Sequence, residues 1–125
     1  MIPAGWTAVD DEIFRACRRL RSVSFESGSQ LTTIGRSAFS NTKLTSVVLP
    51  ASLTTIEDSA FSNCGKLRSV SLESGSQLMS IGRSAFSHCG LTSMVLPASL
   101  TTIEDSAFSN CGKLRSVSLE SGSQL

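Results

Sequence analysis

At 125 residues the chain is long enough for one ordinary domain, and its 40% hydrophobic content supplies material for a core. Eleven basic against ten acidic side chains give a formal charge of +1, which argues against nucleic acid or an anionic membrane as a partner reached by bulk electrostatics. With no Tyr, one Trp and no run of eighteen apolar residues, neither a stacking platform for bases nor a helix inserted in a membrane is expected.

The chain starts Met1-Ile2-Pro3-Ala4-Gly5-Trp6, without a basic leader or an apolar run of signal-peptide length, which leaves the compartment open. Residues 2–9 fall in register with residues 49–56, which makes this stretch a diverged first copy of a repeat. It carries Asp10, Asp11, Glu12, Arg15, Arg18 and Arg19, the polar character expected of a capping unit. The repeat itself is plain further on. Residues 31–77 align without a gap onto residues 78–124 and are identical at 41 of 47 positions. Each long repeat holds two short ones that alternate between 22 and 25 residues, so the expected domain is one solenoid of about five units: 6–30, 31–52, 53–77, 78–99 and 100–125. Phe14, Phe39, Phe61, Phe86 and Phe108 mark them.

Within a unit, the Leu67-Arg68-Ser69-Val70-Ser71-Leu72 pattern predicts a short strand with one buried face. Glu73-Ser74-Gly75-Ser76-Gln77 in the long units and Pro50-Ala51-Ser52 in the short ones predict turns. Leu53-Thr54-Thr55-Ile56 is a second extended segment. The small and acidic residues of Glu57-Asp58-Ser59-Ala60-Phe61 suit one helical or 3₁₀ turn, and Ser62-Asn63-Cys64-Gly65-Lys66 returns the chain to the next strand. A unit this small cannot enclose its own apolar side chains, so stability has to come from stacking.

The spacing Leu-x-x-Ile-x-x-x-Ala-Phe-x-x-Cys followed by Leu-x-x-Val-x-Leu-Pro resembles the BspA-like, or Treponema-type, leucine-rich repeat family. It recurs at Ala38-Phe39, Ala60-Phe61, Ala85-Phe86 and Ala107-Phe108, with Pro50 and Pro97 closing strands. Thr42 stands in place of one Cys, Ile13-Phe14 in place of the first Ala-Phe, and Glu73 and Glu120 where Pro would be. The resemblance implies an α/β, β-rich solenoid with a parallel concave sheet and short helical or 3₁₀ turns on the convex side. It also implies a place among cell-surface or secreted adhesion proteins of microbes and protists, and brings no catalytic residue with it.

Chemistry-bearing residues are few. Cys17, Cys64, Cys89 and Cys111 lie far apart, without a Cys-x-x-Cys pair, and share one repeat position. They are expected to form an interior column of reduced thiols, so no metal or cofactor is expected. His88 is the only histidine and has no partner from which to build a triad. No nucleophile elbow or phosphate loop occurs, and an enzyme is not expected. Two residues after the column Ile stand Asp11, Arg36, Asp58, Arg83 and Asp105, whose alternating sign predicts a ladder that attracts in register and repels when slipped by one coil.

The candidate binding face is the concave one. Its outward positions carry Arg21, Thr45, Arg68, Thr92 and Arg115, then Ser24, Ser71 and Ser118 with Val48 and Val95 between, then Glu26, Glu73 and Glu120. Arg forks and Ser hydroxyls in bands suit an extended protein or glycan ligand. Nothing in the C-terminal unit resembles a cap, which leads to one of two expectations: the chain is a fragment of a longer array, or its open end associates end to end with another molecule. The functional expectation is a protein-interaction or adhesion module. The alternative is a structural or engineered consensus scaffold with no dedicated partner.

Overall fold

The computed structural model describes residues 1–119. Nine short strands follow one another: β1 Ala8–Val9, β2 Thr33–Ile34, β3 Ser46–Leu49, β4 Thr55–Ile56, β5 Ser69–Leu72, β6 Ser80–Ile81, β7 Ser93–Leu96, β8 Thr102–Ile103 and β9 Ser116–Leu119. The two-residue strands stack in parallel as a five-stranded sheet in the order β1-β2-β4-β6-β8, one per coil. In register this sheet aligns Val9, Ile34, Ile56, Ile81 and Ile103. Strict repetition of one apolar residue per coil thus becomes an interior column, with Val9, Ile34, Ile56 and Ile81 fully buried.

Phe14, Phe39, Phe61, Phe86 and Phe108 make a second column. Their rings stack face to face at 5.3, 5.2, 5.2 and 5.5 Å between centroids, with interplanar angles of at most 14°. The three middle rings are fully buried. Such pairs add about 0.5–1.5 kcal/mol each beyond the burial of the rings. Leu31, Leu53, Leu78 and Leu100, and Leu44, Leu67 and Leu91, complete the core as further columns with no exposed surface.

The four-residue strands pair differently from the expected continuous sheet. β3 pairs with β5 and β7 with β9, each in parallel, while β5 and β7 are not joined as a ladder. Ile2 bridges Phe25 in the same sense at the start of the chain. The coils therefore associate in twos on this face: the strand that ends in Pro pairs with the next, which ends in Glu. The turns explain the pairing. Pro50 leaves Ala51 N–H without a partner in its own turn, and the Glu73 carboxylate of the following coil accepts it at 3.0 Å; Glu26 does the same for Ala4 N–H at 2.8 Å.

No helical or 3₁₀ turn occurs among the described residues, which corrects the expectation for the convex side. The donors a helix needs are used between coils. Ser37, Phe39 and Asn41 N–H donate to the carbonyls of Asp58, Ala60 and Ser62 at 2.8–3.0 Å, and Ser59, Phe61 and Asn63 repeat this onto Arg83, Ala85 and Ser87. Two residues per coil adopt the left-handed conformation, at φ 54–60°: Glu12 and Ala16, Ser37 and Asn41, Ser59 and Asn63, Ser84 and His88, Ser106 and Asn110. A left-handed non-glycine residue costs about 1–2 kcal/mol, which the hydrogen bonds to the next coil have to offset.

Candidate functional site

The face built by the four-residue strands carries the predicted binding residues. Backbone bonds knit the basic row together: Thr45 N–H donates to Arg21 C=O, Arg68 to Thr45, Thr92 to Arg68 and Arg115 to Thr92, at 2.9–3.3 Å. All five side chains are exposed, so Arg21, Arg68 and Arg115 stand on every second coil. At about 4.8 Å per coil that is roughly 10 Å between guanidinium groups, close to the Debye length at moderate salt, and mutual repulsion is weak. Ser24, Ser71 and Ser118 are exposed on the same face. Glu26 and Glu73 are exposed too, but one carboxylate oxygen of each holds a turn, as above. Glu120 lies outside the described residues, as does the expected uncapped end at residues 120–125.

Sequence reasoning missed the row between. Ser22, Ser46, Ser69, Ser93 and Ser116 occupy one register position, and all five are exposed. The signal was present as Ser in every copy, but the expected alternation assigned only every second residue to the outside. In fact Arg68 and Ser69 both face solvent before Val70 turns inward. Val48 and Val95, 54% and 56% exposed, interrupt the outer serine row with apolar side chains. Where β5 and β7 part, a cleft of about 360 Å³ opens between them, lined by Ser69, Ser71, Glu73, Ser93 and Val95 among others. The second row, the cleft and the two valines give this face hydroxyl donors, a crevice and apolar spots together.

Three of the four cysteines sit in the interior column expected of them. Cys64, Cys89 and Cys111 are buried and donate S–H to the carbonyls of Phe39, Phe61 and Phe86 at 3.0–3.1 Å. The hydrogen bond to Cys64 and burial push the Cys89 thiol well above its ordinary range, and burial raises Cys111. Cys17 departs from the expected column: it is exposed, because the first unit has no earlier Phe carbonyl to receive its S–H. Thr42 takes the column position in the second coil, its hydroxyl 3.4 Å from the Cys64 sulfur. His88 is exposed, with Nε2 3.3 Å from Asn110 Nδ2. Among the described residues no three His, Cys, Asp or Glu converge as a metal site would require.

The ladder of alternating sign also acts differently from expectation. Among the described residues the one ion pair is Arg15–Glu12, inside a single coil at 3.5 Å. Instead the Oδ1 atoms of Asp11 and Asp58 accept the backbone N–H of Arg36 and Arg83, each at 2.8 Å. The aspartate is short and reaches the neighbouring backbone before any guanidinium reaches it.

A stack of parallel coils with leucine, isoleucine and phenylalanine columns and one polar strand face is a leucine-rich repeat solenoid. The model of the BspA type leucine rich repeat region matches residues 1–115 in six copies, and the chain belongs to that family. Among solved structures it is similar to the pneumococcal vaccine antigen PcpA, at 33% identity and TM-score 0.93 over 97% of this chain and 30% of that one. A leucine-rich repeat protein of Treponema pallidum is 35% identical, with TM-score 0.81 over 89% of this chain and 51% of that one. One from Bacteroides ovatus is 29% identical, with TM-score 0.84 over 98% and 31%. The chain therefore spans between about a third and a half of the length of these proteins. A search of curated proteins finds no match.

Proposed function

We propose that the chain is a non-catalytic binding module that holds an extended protein or glycan segment along the face of β3, β5, β7 and β9. The observation that supports this reading most is the uninterrupted Ser22, Ser46, Ser69, Ser93 and Ser116 row beside Arg21, Arg68 and Arg115. Five hydroxyls at one position, with guanidinium groups on every second coil, offer repeated hydrogen bonds to a ligand of regular repeat. Five residues of strand, roughly 16 Å, separate Arg68 from Glu73, so the face is basic along one border and acidic along the other. A bound peptide or sugar chain lies between the borders, its polar groups on the serines and its apolar spots on Val48 and Val95.

The family and the similarity to a pneumococcal antigen support a place on a bacterial surface, where such a module serves adhesion. The test is a screen of the whole chain against extracellular matrix proteins and a glycan array, repeated with R21A/R68A/R115A. The triple variant should lose at least tenfold in affinity for whatever the parent retains, and unchanged binding would overturn the reading.

A further inference from the structure

The near-zero net charge conceals a segregation of sign that coil stacking reveals. Eight of the eleven Lys and Arg fall in residues 18–21, 43, 66–68 and 113–115, and no Asp or Glu lies in those segments. Stacking brings the first three together: Lys43 N–H donates to Leu20 C=O at 3.1 Å, and Arg68 N–H to Thr45 C=O at 2.9 Å. The result is a shallow groove of about 720 Å³ along the edge of the strand face, lined by Arg18, Asn41, Lys43, Asn63 and Lys66 with small neighbours. A smaller depression of about 160 Å³ adjoins it, lined by Arg18, Arg21, Lys43, Thr45 and Lys66. No carboxylate lines either one, and the cations make no ion pair among the described residues.

We propose that this groove is a second binding site, beside the serine face, for the acidic groups of an anionic polysaccharide. Cations on three successive coils span roughly 10 Å, which suits charges carried on neighbouring sugars better than a single small ion. The remaining lining is amide and hydroxyl, from Asn41, Asn63 and Thr45, and matches the hydroxyls of a sugar chain. An acidic peptide would need apolar or aromatic anchors, and a single-stranded nucleic acid would need rings to stack on; the groove has neither. The site ends at the fourth coil for a packing reason. Gly90 takes the place of Lys43 there, and a Cβ at that position would stand 2.4 Å from Gly65 O.

Retention of the whole chain on immobilised heparin, a sulfated polysaccharide, tests this at about 50 mM salt, where exposed charges are little screened. Retention is expected, with K43Q/K66Q weakening it roughly tenfold. R36Q/R83Q, which removes the same two charges from elsewhere, is expected to leave it unchanged. Equal loss in both pairs, or no retention of the parent chain, overturns the site. Equally tight binding of polyglutamate or a single-stranded oligonucleotide at matched charge overturns the polysaccharide assignment. Arg21 lines the smaller depression and is also replaced in R21A/R68A/R115A, so S46A/S69A/S93A, which touches neither depression, separates the two readings: it should leave heparin retention unchanged and weaken only a ligand held on the strand face.

Discussion

Asp58 and Arg83 meet through a carboxylate and a backbone amide, with Asp58 Oδ1 accepting the Arg83 N–H at 2.8 Å. Gly82 makes the approach possible: a Cβ there would lie 2.6 Å from Asp58 N and 2.7 Å from Asp58 Oδ1. Asp11, Gly35 and Arg36 repeat the arrangement one long repeat earlier. Coils with Asp at this position and coils with Gly-Arg are thus matched halves of one contact.

This contact predicts which substitutions matter. D58A removes an acceptor much like a helix N-cap and should lower stability by about 1 kcal/mol. D58N keeps an oxygen in place and should cost less. R83Q leaves the backbone donor intact and should stay within about 0.5 kcal/mol of the parent. G82A forces backbone apart and should cost more than D58A. Urea denaturation orders the four, and a loss in R83Q equal to that in D58A would restore the ion-pair ladder.

Sequence pattern and structure part company where backbone rather than side chain decides. Leu, Ile and Phe columns were legible because one residue type returns at a fixed step, as at Phe39, Phe61 and Phe86. The Glu57-Asp58-Ser59-Ala60-Phe61 segment reads as a helical start because Asp and Ser favour one. Nothing in its composition shows that the Ser59 and Phe61 amides are committed to Arg83 and Ala85 of the next coil. The strand face was read by alternation, which places Arg68 and Ser71 but loses Ser69. The basic groove was invisible to a net charge of +1, since it exists only once Arg18, Lys43 and Lys66 are stacked.

The phenylalanine column should show its position dependence in stability. F61A removes a fully buried ring stacked on both sides and is expected to cost about 3–5 kcal/mol. F14A removes a half-buried ring stacked on one side and should cost clearly less. Thermal or urea unfolding of the two variants measures the difference, and equal losses would mean that the coils do not share one column.

Thiol reactivity separates the first coil from the rest. In the native protein one group, Cys17, is expected to react quickly with a thiol reagent, while Cys64, Cys89 and Cys111 react only on unfolding. The raised Cys89 also makes stability depend on pH. Its unfolded-state value is about 8.5–9, so below that range both states are protonated and its contribution is complete. Above it the unfolded chain loses the proton while the native one keeps it, so Cys89 makes stability fall with rising pH, whereas Cys64, lowered to about 7 by its hydrogen bond with Cys89, adds stability between pH 7 and that range. C89A should flatten that fall between pH 9 and 10 in urea titrations, whatever it costs at neutral pH.

His88 stands where Asn41, Asn63 and Asn110 stand in the other coils, and all four are left-handed, with φ between 56° and 59°. Asn and His tolerate that region because a short polar side chain meets little resistance there, whereas a β-branched one collides with its own backbone. H88N should therefore leave stability within about 0.5 kcal/mol, and H88V should lower it by about 1–2 kcal/mol. If the side-chain contact to Asn110 were what matters instead, N110A would match H88V. The backbone reading expects N110A to cost less than H88V, although Ala at a φ of 56° carries some strain of its own. H88G completes the comparison: glycine loses the Asn110 contact but relieves the backbone, so it should be at least as stable as H88V and separates the two contributions in a single denaturation series.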